Sequence, residues 1–297
     1  MDFGFSDEQE MLREASRALL SDALTPARLR AMSETELRFD PDLWRAGAKV
    51  GWTGIAVSED LGGAGQGVVD LVVVAEVTAK RDVDQLVLHG TKSFVQDADA
   101  ADLLVVTALV DGELGQVVVP TGEPGVHAEP LTTLDVTRRL YEVTFDQVQL
   151  PSTALLGTSS ARPAVVRQLE LGSTLVCAET VGAAERLLEM TVAYAKERVQ
   201  FGRPIGSFQA IKHKLADLVV LLEGSRVATY DAAMALDDRG VDVPEAVSIA
   251  KSHTGESCSR LASEALQVHG GVGFTWEHDL HLYLRRIRSD EMLFGDP

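Results

Sequence analysis

The stretch Arg198-Val-Gln-Phe-Gly-Arg-Pro-Ile-Gly-Ser-Phe-Gln209 decides how this chain folds. Ahead of it, from about Ala164, runs an alanine-rich helical pattern, and Phe208-Gln-Ala-Ile-Lys-His-Lys-Leu-Ala-Asp217 begins another behind it. Gly202-Arg-Pro204 separates the two, because glycine permits a left-handed turn and proline has no N–H with which to continue a helix. Breaks of the same kind recur at Val243-Pro244 and Gly270-Gly271. Long helices with apolar faces and short connections read as a four-helix bundle over residues 156–297.

Two further regimes precede the bundle. Residues 1–80 carry a helical pattern. Ser6, three residues before Gln9, is a capping signal for an amphipathic helix with Met11, Ala15 and Leu19 on one face. Asp40-Pro-Asp-Leu-Trp44 opens a second helix, Gly62-Gly-Ala-Gly-Gln-Gly67 is a turn-rich break, and Val68 to Ala79 is expected to form a third. Over residues 81–155 the period changes to strand-like runs, Leu86-Val-Leu-His-Gly-Thr, Leu103-Leu-Val-Val-Thr, Gln116-Val-Val-Val-Pro and Tyr141-Glu-Val-Thr-Phe. Asp111-Gly112 and Glu123-Pro-Gly125 punctuate them. The expected class is therefore α+β: an N-terminal helical segment, a small middle β-domain and a C-terminal bundle.

The 297 residues are 45% hydrophobic, enough for one large core or two to three smaller ones. Lys plus Arg total 27 against 45 Asp plus Glu, a net charge of -18. That balance disfavours nucleic acid, which demands a basic face, and an anionic membrane surface. No apolar run reaches the roughly eighteen residues of a membrane span. The acidic N-terminus, Met1-Asp-Phe-Gly-Phe-Ser-Asp-Glu-Gln-Glu10, does not read as a signal peptide. Cys177 and Cys258 lack metal-ligand spacing and read as buried free thiols, which suits a reducing, cytoplasmic compartment.

Several residues could carry chemistry. Arg198 at a helix end, a turn, and then a new helix place guanidinium groups and backbone N–H donors at one edge, an arrangement suited to a pyrophosphate. Phe201 and Phe208 can cover an adenine or ribose, and Gln209 can hydrogen-bond it. Spacing alone leaves this open against a solvated turn with two structural phenylalanines. Gly270 and Gly271 allow a helix to end and a backbone to approach a flat ligand. His213, His269 and His278 form no metal set and read as structural. Arg138-Arg139 is a basic pair for which Asp135 is the simplest partner.

The dense segments Tyr194-Ala-Lys-Glu-Arg-Val-Gln-Phe-Gly, Phe208 to Asp217 and Gln267 to Glu277 resemble the C-terminal half of the acyl-CoA dehydrogenases. His89-Gly-Thr-Lys-Ser-Phe-Val-Gln96 is similar to that family's Gly-x-Lys-x-Trp-Ile-Thr strand, and Ser6-Asp-Glu-Gln9 and Leu61-Gly-Gly-Ala-Gly65 extend the likeness weakly to the N-terminus. The resemblance implies FAD as cofactor, an acyl-CoA thioester as substrate, and electron-transfer flavoprotein or a similar acceptor. It further implies that Arg198, Gln200, Phe201, Phe208, Gln209, Gln267, Gly270 and Gly271 hold the ADP half of an FAD belonging to a neighbouring subunit.

Departures from the family pattern are as informative. Gly295, in Leu293-Phe-Gly-Asp-Pro297, falls at the usual place of the catalytic glutamate. The alternative place falls near Gly172, with Glu170 on the opposite helical face, and Asp296 is displaced by one residue. Between Lys80 and Leu86 the flavin-facing helices and loop are absent, either natively or because a segment is missing from the sequence. Phe94 and Gln96 replace the family's flavin-facing tryptophan and threonine. These departures fit one subunit of a two-chain α2β2 enzyme, similar to those of actinobacterial sterol degradation, whose homologous partner supplies base and flavin pocket. A self-sufficient homo-oligomer and a scaffold without flavin are the alternatives.

Overall fold

A computed structural model describes residues 7–33, 40–50, 77–82, 84–157, 160–238 and 242–295. The chain divides into two units, residues 1–69 and 70–297. The first contains α1 (Asp7–Ala23), α2 (Pro26–Ser33) and α3 (Pro41–Lys49). The start of α3 follows from its sequence. Asp40 is its N-cap, the carboxylate accepting the N–H groups of Asp42 and Leu43 at 3.0 Å, while Pro41 fills a position whose N–H would go unpaired. The Leu43 N–H is the main reason the Asp40 carboxyl sits below its ordinary pKa, with Arg28 helping. The capping residue Ser6, the break at Gly62–Gly67 and residues 68–76 lie outside the described residues.

The second unit begins with a mixed seven-stranded sheet: β1 (Val77–Asp82), β2 (Gln85–Gln96), β3 (Leu103–Val110), β4 (Glu113–Pro120), β5 (Val126–Pro130), β6 (Leu140–Pro151) and β7 (Leu155–Leu156). Its order is β5-β6-β2-β1-β3-β4-β7. Here one expectation fails. Val77–Ala79, the end of the helix expected over Val68–Ala79, belong to β1. Val77 and Ala79 are buried while Thr78 and Lys80 are exposed, a strand's alternation, and β1 pairs antiparallel with β2 and parallel with β3. The step from Lys80 to Leu86 is consequently a strand-to-strand hairpin closed by the Asp82–Gln85 pair, not a passage from helix to strand.

Alternation also fixes the sheet's core. Leu86 and Leu88, Val117 and Val119, and Val143 and Phe145 are buried, each separated from its pair-mate by one residue. In β6 the buried positions then change parity to Val148 and Leu150, with Gln147 at φ 52 between them. A β-bulge there adds one residue, so both halves of the strand keep their apolar side inward.

The bundle comprises α4 (Arg162–Glu197), α5 (Gln209–Asp238), α6 (Val243–His269) and α7 (Leu280–Met292). Its core draws Val181, Ala184, Leu187 and Leu188 from α4, Leu218 and Leu222 from α5, Cys258, Leu261, Ala262 and Ala265 from α6, and Leu280 and Ile287 from α7. The three-, four- and seven-residue spacings within the helices are those of one buried face. Buried Thr180, Thr191, Ser225 and Thr229 donate their hydroxyls to carbonyls one turn earlier in their own helices, so each is satisfied within its own helix. Cys177 and Cys258 are buried free thiols whose pKa values burial raises to about 11. Thiols that far from ionisation are inert packing groups.

Candidate cofactor-binding site

At the end of α4 the chain makes a two-residue hairpin. Arg198 leaves helical geometry with its N–H still bonded to the Tyr194 carbonyl at 2.8 Å. Val199–Gln200 (β8) then pairs with Arg203–Pro204 (β9). Phe201 and Gly202 at the tip have φ of 51° and 77°, the two positive values that a tight hairpin turn of this hand requires. A 3-10 turn over Ile205–Ser207 leads into Phe208 and α5. Gly206 allows that turn to lie on α4, since a Cβ there would stand 2.8 Å from the Ala195 carbonyl oxygen.

This geometry brings together most of the residues singled out in the stretch. Phe201 is 92% exposed, the Phe208 ring meets it edge-on at 6.1 Å, and the Arg203 guanidinium lies 4.1 Å over the Phe208 face. Arg198 and Gln200 are exposed beside them, and Gln209 opens α5. Among the described residues the Gln200 amide bonds locally, to the Val199 carbonyl. Two cations, two aromatic rings, two amides and the N-terminal end of a 30-residue helix thus meet on one surface. Arg203 is an addition to the residues named from sequence; its cation–π contact with Phe208 is the signal that reveals it.

The second arm is the end of α6. Exposed Gln267 precedes His269, and Gly270 adopts φ 62, ψ −140, a conformation open to glycine alone. A 3-10 turn over Gly270–Phe274 follows, with Phe274 exposed. A Cβ built on Gly202, Gly270 or Gly271 would meet nothing within 4 Å, so all three backbones border open space. The helix ends that lead into the two arms, far apart in sequence, touch where Tyr194 stacks on His269 with centroids 4.6 Å apart. Neither residue of that pair was identifiable as a pair from the sequence. His213 is exposed, whereas His269 and His278 pack edge-on at 4.8 Å.

Two of the positions considered for a carboxylate base, Gly172 and Gly295, are neighbours through Phe294. Gly172 on α4 is buried beneath Phe294, whose ring lies 2.6–3.2 Å from where a Gly172 Cβ would stand. Gly295 follows at φ 109°, and Asp296 lies outside the described residues. Glu170 is half-buried, and its backbone carbonyl accepts the Thr174 hydroxyl. An aromatic ring therefore fills the space over Gly172.

Gln96 and Arg138 belong to an ionic junction between sheet and bundle. Arg138 donates to the Gln96 side-chain oxygen at 2.8 Å and to Asp290 of α7 at 2.7 Å, and it also pairs with Glu179 of α4. Asp135 does not take Arg138 or Arg139 as its ion-pair partner. It pairs with Arg286 of α7 at 2.6 Å, while Arg139 pairs with Asp99. The chain turns between Asp135 and Arg138, the Arg138 N–H bonding to the Asp135 carbonyl, so the two side chains reach different helical residues. Burial, followed by the charge of Glu179, raises the Asp290 pKa to about 7, against the pull of Arg138 and Arg286. Phe94 is exposed at φ 61 beside the irregular pairing between Lys92 and Val95.

Among the described residues, no helix is long and apolar enough to cross a membrane. The chain spans two family domains, the acyl-CoA dehydrogenase N-terminal domain over residues 6–97 and the C-terminal domain over residues 163–296. It is 34% identical to acyl-CoA dehydrogenase IpdE2 of Mycolicibacterium smegmatis, across 98% of this chain and 96% of the relative. Among solved structures it is similar to the Tcur3481–Tcur3483 steroid ACAD G363A variant, with a TM-score of 0.85 and 27% identity over 97% of this chain and 93% of that one. The ChsE4–ChsE5 complex from Mycobacterium tuberculosis shares the fold, with a TM-score of 0.88 at 24% identity over 100% and 95% of the two chains. Domain matches at both ends and a relative matched along nearly its whole length establish that this chain belongs to the acyl-CoA dehydrogenase family.

Proposed function

We propose that this chain is the nucleotide-gripping subunit of an FAD-dependent acyl-CoA dehydrogenase of α2β2 type, working in the cytoplasm. Its homologous partner supplies the base and the pocket for the flavin ring. The observation that carries the proposal is a contrast within one chain. Cations, aromatic rings and open glycine backbone gather at the Arg198 and Gly270 arms, while Phe294 occupies the space over Gly172. A base opposed to a hydride acceptor is needed to take a proton from the α-carbon of the thioester as hydride leaves the β-carbon.

The residues present fit the ADP end of FAD. Arg198 and Arg203 can neutralise a pyrophosphate, the first turn of α5 adds N–H donors, and Phe201 and Phe208 can lie against adenine or ribose. Gln200, Gln209 and Gln267 supply amides, and Gly270 and Gly271 admit a ligand to the backbone. FAD, when bound, supplies the hydride acceptor. A steroid-derived acyl-CoA is the proposed substrate class, supported by the likeness to a steroid ACAD, and electron-transfer flavoprotein or a similar protein is the acceptor.

The test is to tag this chain, purify it from its host with whatever accompanies it, and count flavin per polypeptide. One FAD for every two chains, together with a homologous second polypeptide, is expected. A lone chain that is yellow and reduces an acceptor with its own acyl-CoA would overturn the proposal. Arg198→Ala should lower the flavin content of the complex.

A further inference from the structure

His269 ends α6 immediately before the Gly270–Phe274 arm and is 3% exposed. On one side its ring stacks on Tyr194, one helical turn before Arg198, at an interplanar angle of 21°. On the other side the chain folds back over it. A Cβ on Gly273 would stand 3.1 Å from the His269 Cβ, and the His278 ring lies edge-on at 4.8 Å. The His269 Nδ1 is 2.8 Å from the Ala265 carbonyl oxygen, which can only accept. Nδ1 therefore carries the proton of the neutral ring, and Nε2 is a buried acceptor with no hydrogen-bond partner among the described residues. Burial is the first cause that lowers the ring's pKa, with His278 adding to it and the Ala265 carbonyl opposing.

We infer that His269 is a positioning residue of the nucleotide clasp: stacked on Tyr194 and anchored to Ala265, its ring sets the spacing between the Arg198–Arg203 hairpin and the Gly270–Phe274 turn. This rests on the reading of those two arms as a site for the ADP end of FAD. The physical case is that each arm is locally well formed, that α4 and α6 share an apolar core below them, and that this ring pair is a contact between the two helices within one turn of both arms. Two stacked rings favour a defined offset geometry through their quadrupoles, a preference that an aliphatic side chain of similar volume does not share.

The test uses the tagged complex described above, reading FAD dissociation after rapid dilution by the recovery of flavin fluorescence, with thermal unfolding in parallel. His269→Leu is expected to speed FAD release roughly tenfold, His269→Phe, which keeps the stack, by no more than about threefold, and Tyr194→Leu to match His269→Leu. The double Leu variant should be no worse than either single one, because the first substitution already removes the coupling. A loss that follows thermal stability alone, equal in the Phe and Leu variants, would show a merely structural ring and overturn the inference. Unchanged FAD release in a folded His269→Leu complex would do the same. Arg198→Ala separates the two levels of the argument. If it releases FAD while His269→Leu does not, only the positioning role fails; if it retains FAD, the clasp itself is misassigned and the positioning role falls with it.

Discussion

At the scale of single residues, the contact between Gly172 and Phe294 is the tightest statement the chain makes about its own chemistry. A side chain at 172 has no space while the Phe294 ring is in place. Gly172→Val should therefore destabilise the fold by about 1–3 kcal/mol through overpacking. Denaturant titration would measure it, and adding Phe294→Ala should recover part of the loss because the two positions are in contact. No recovery would mean that Phe294 does not occupy that space. Asp290 supports a second prediction at this scale. Its pKa, ordinarily 3.8, is raised to about 7, first by burial. Between those values the folded chain holds a proton that the unfolded chain has released. Its contribution to stability is therefore full below about pH 4 and falls as pH rises towards 7, by up to about 1.4 kcal/mol per pH unit. Asp290→Asn should remove that slope, so thermal unfolding curves of wild type and variant should diverge steadily across the window. Parallel curves would contradict it.

At the scale of elements, turn chemistry explains what the sequence made legible. Asp111 and Gly112, with φ of 51 and 88, join β3 to β4 in a two-residue loop of the hand that matches strand twist. A Cβ at 112 would meet nothing within 4 Å, so Gly112→Ala tests backbone strain alone and should cost about 1 kcal/mol, read as a lower denaturation midpoint with unchanged slope. The same chemistry at Gly202 and Gly270 made the bundle's breaks readable. β1 was not readable, because Val77 and Ala79 follow the apolar run Leu71-Val-Val-Val-Ala75, where helix and strand periods coincide. Within the site, exposed residues grouped in one stretch, Arg198 to Gln209, were legible as a group. Tyr194 with His269, and Phe294 with Gly172, were not, since each pair is made by helices returning past one another. Arg138 shows the remaining limit. Asp135 is nearest in sequence, yet the turn between them sends the guanidinium across to α4 and α7.

Within the larger unit, a cluster of charged side chains links the sheet to the bundle, beside the Gln116–Gln168 amide pair. Arg138 and Asp290 have side chains 5% and 0% exposed, with Glu179 bridging Arg138 and Arg286, and Asp135 completing the set. Lys251 of α6 adds its ammonium to the Asp290 and Glu291 carbonyls. Removing one member strands the others in a poorly solvated place, so the cost exceeds the worth of a surface ion pair. Above pH 7, where Asp290 carries its charge, Arg138→Ala should destabilise by about 3–5 kcal/mol, because Asp290 loses a cation and Gln96 loses its donor. The larger consequence is for cooperativity. If this junction couples sheet to bundle, its loss should separate their unfolding, which hydrogen exchange can follow through the amides of β2 and β6 against those of α6. In wild type the slowest amides of both groups should exchange by the same global opening, whereas in Arg138→Ala the sheet and bundle should exchange with different free energies. Equal losses of protection in both groups would mean that they remain one cooperative body without the arginine, and that apolar contact, not this ionic set, joins them.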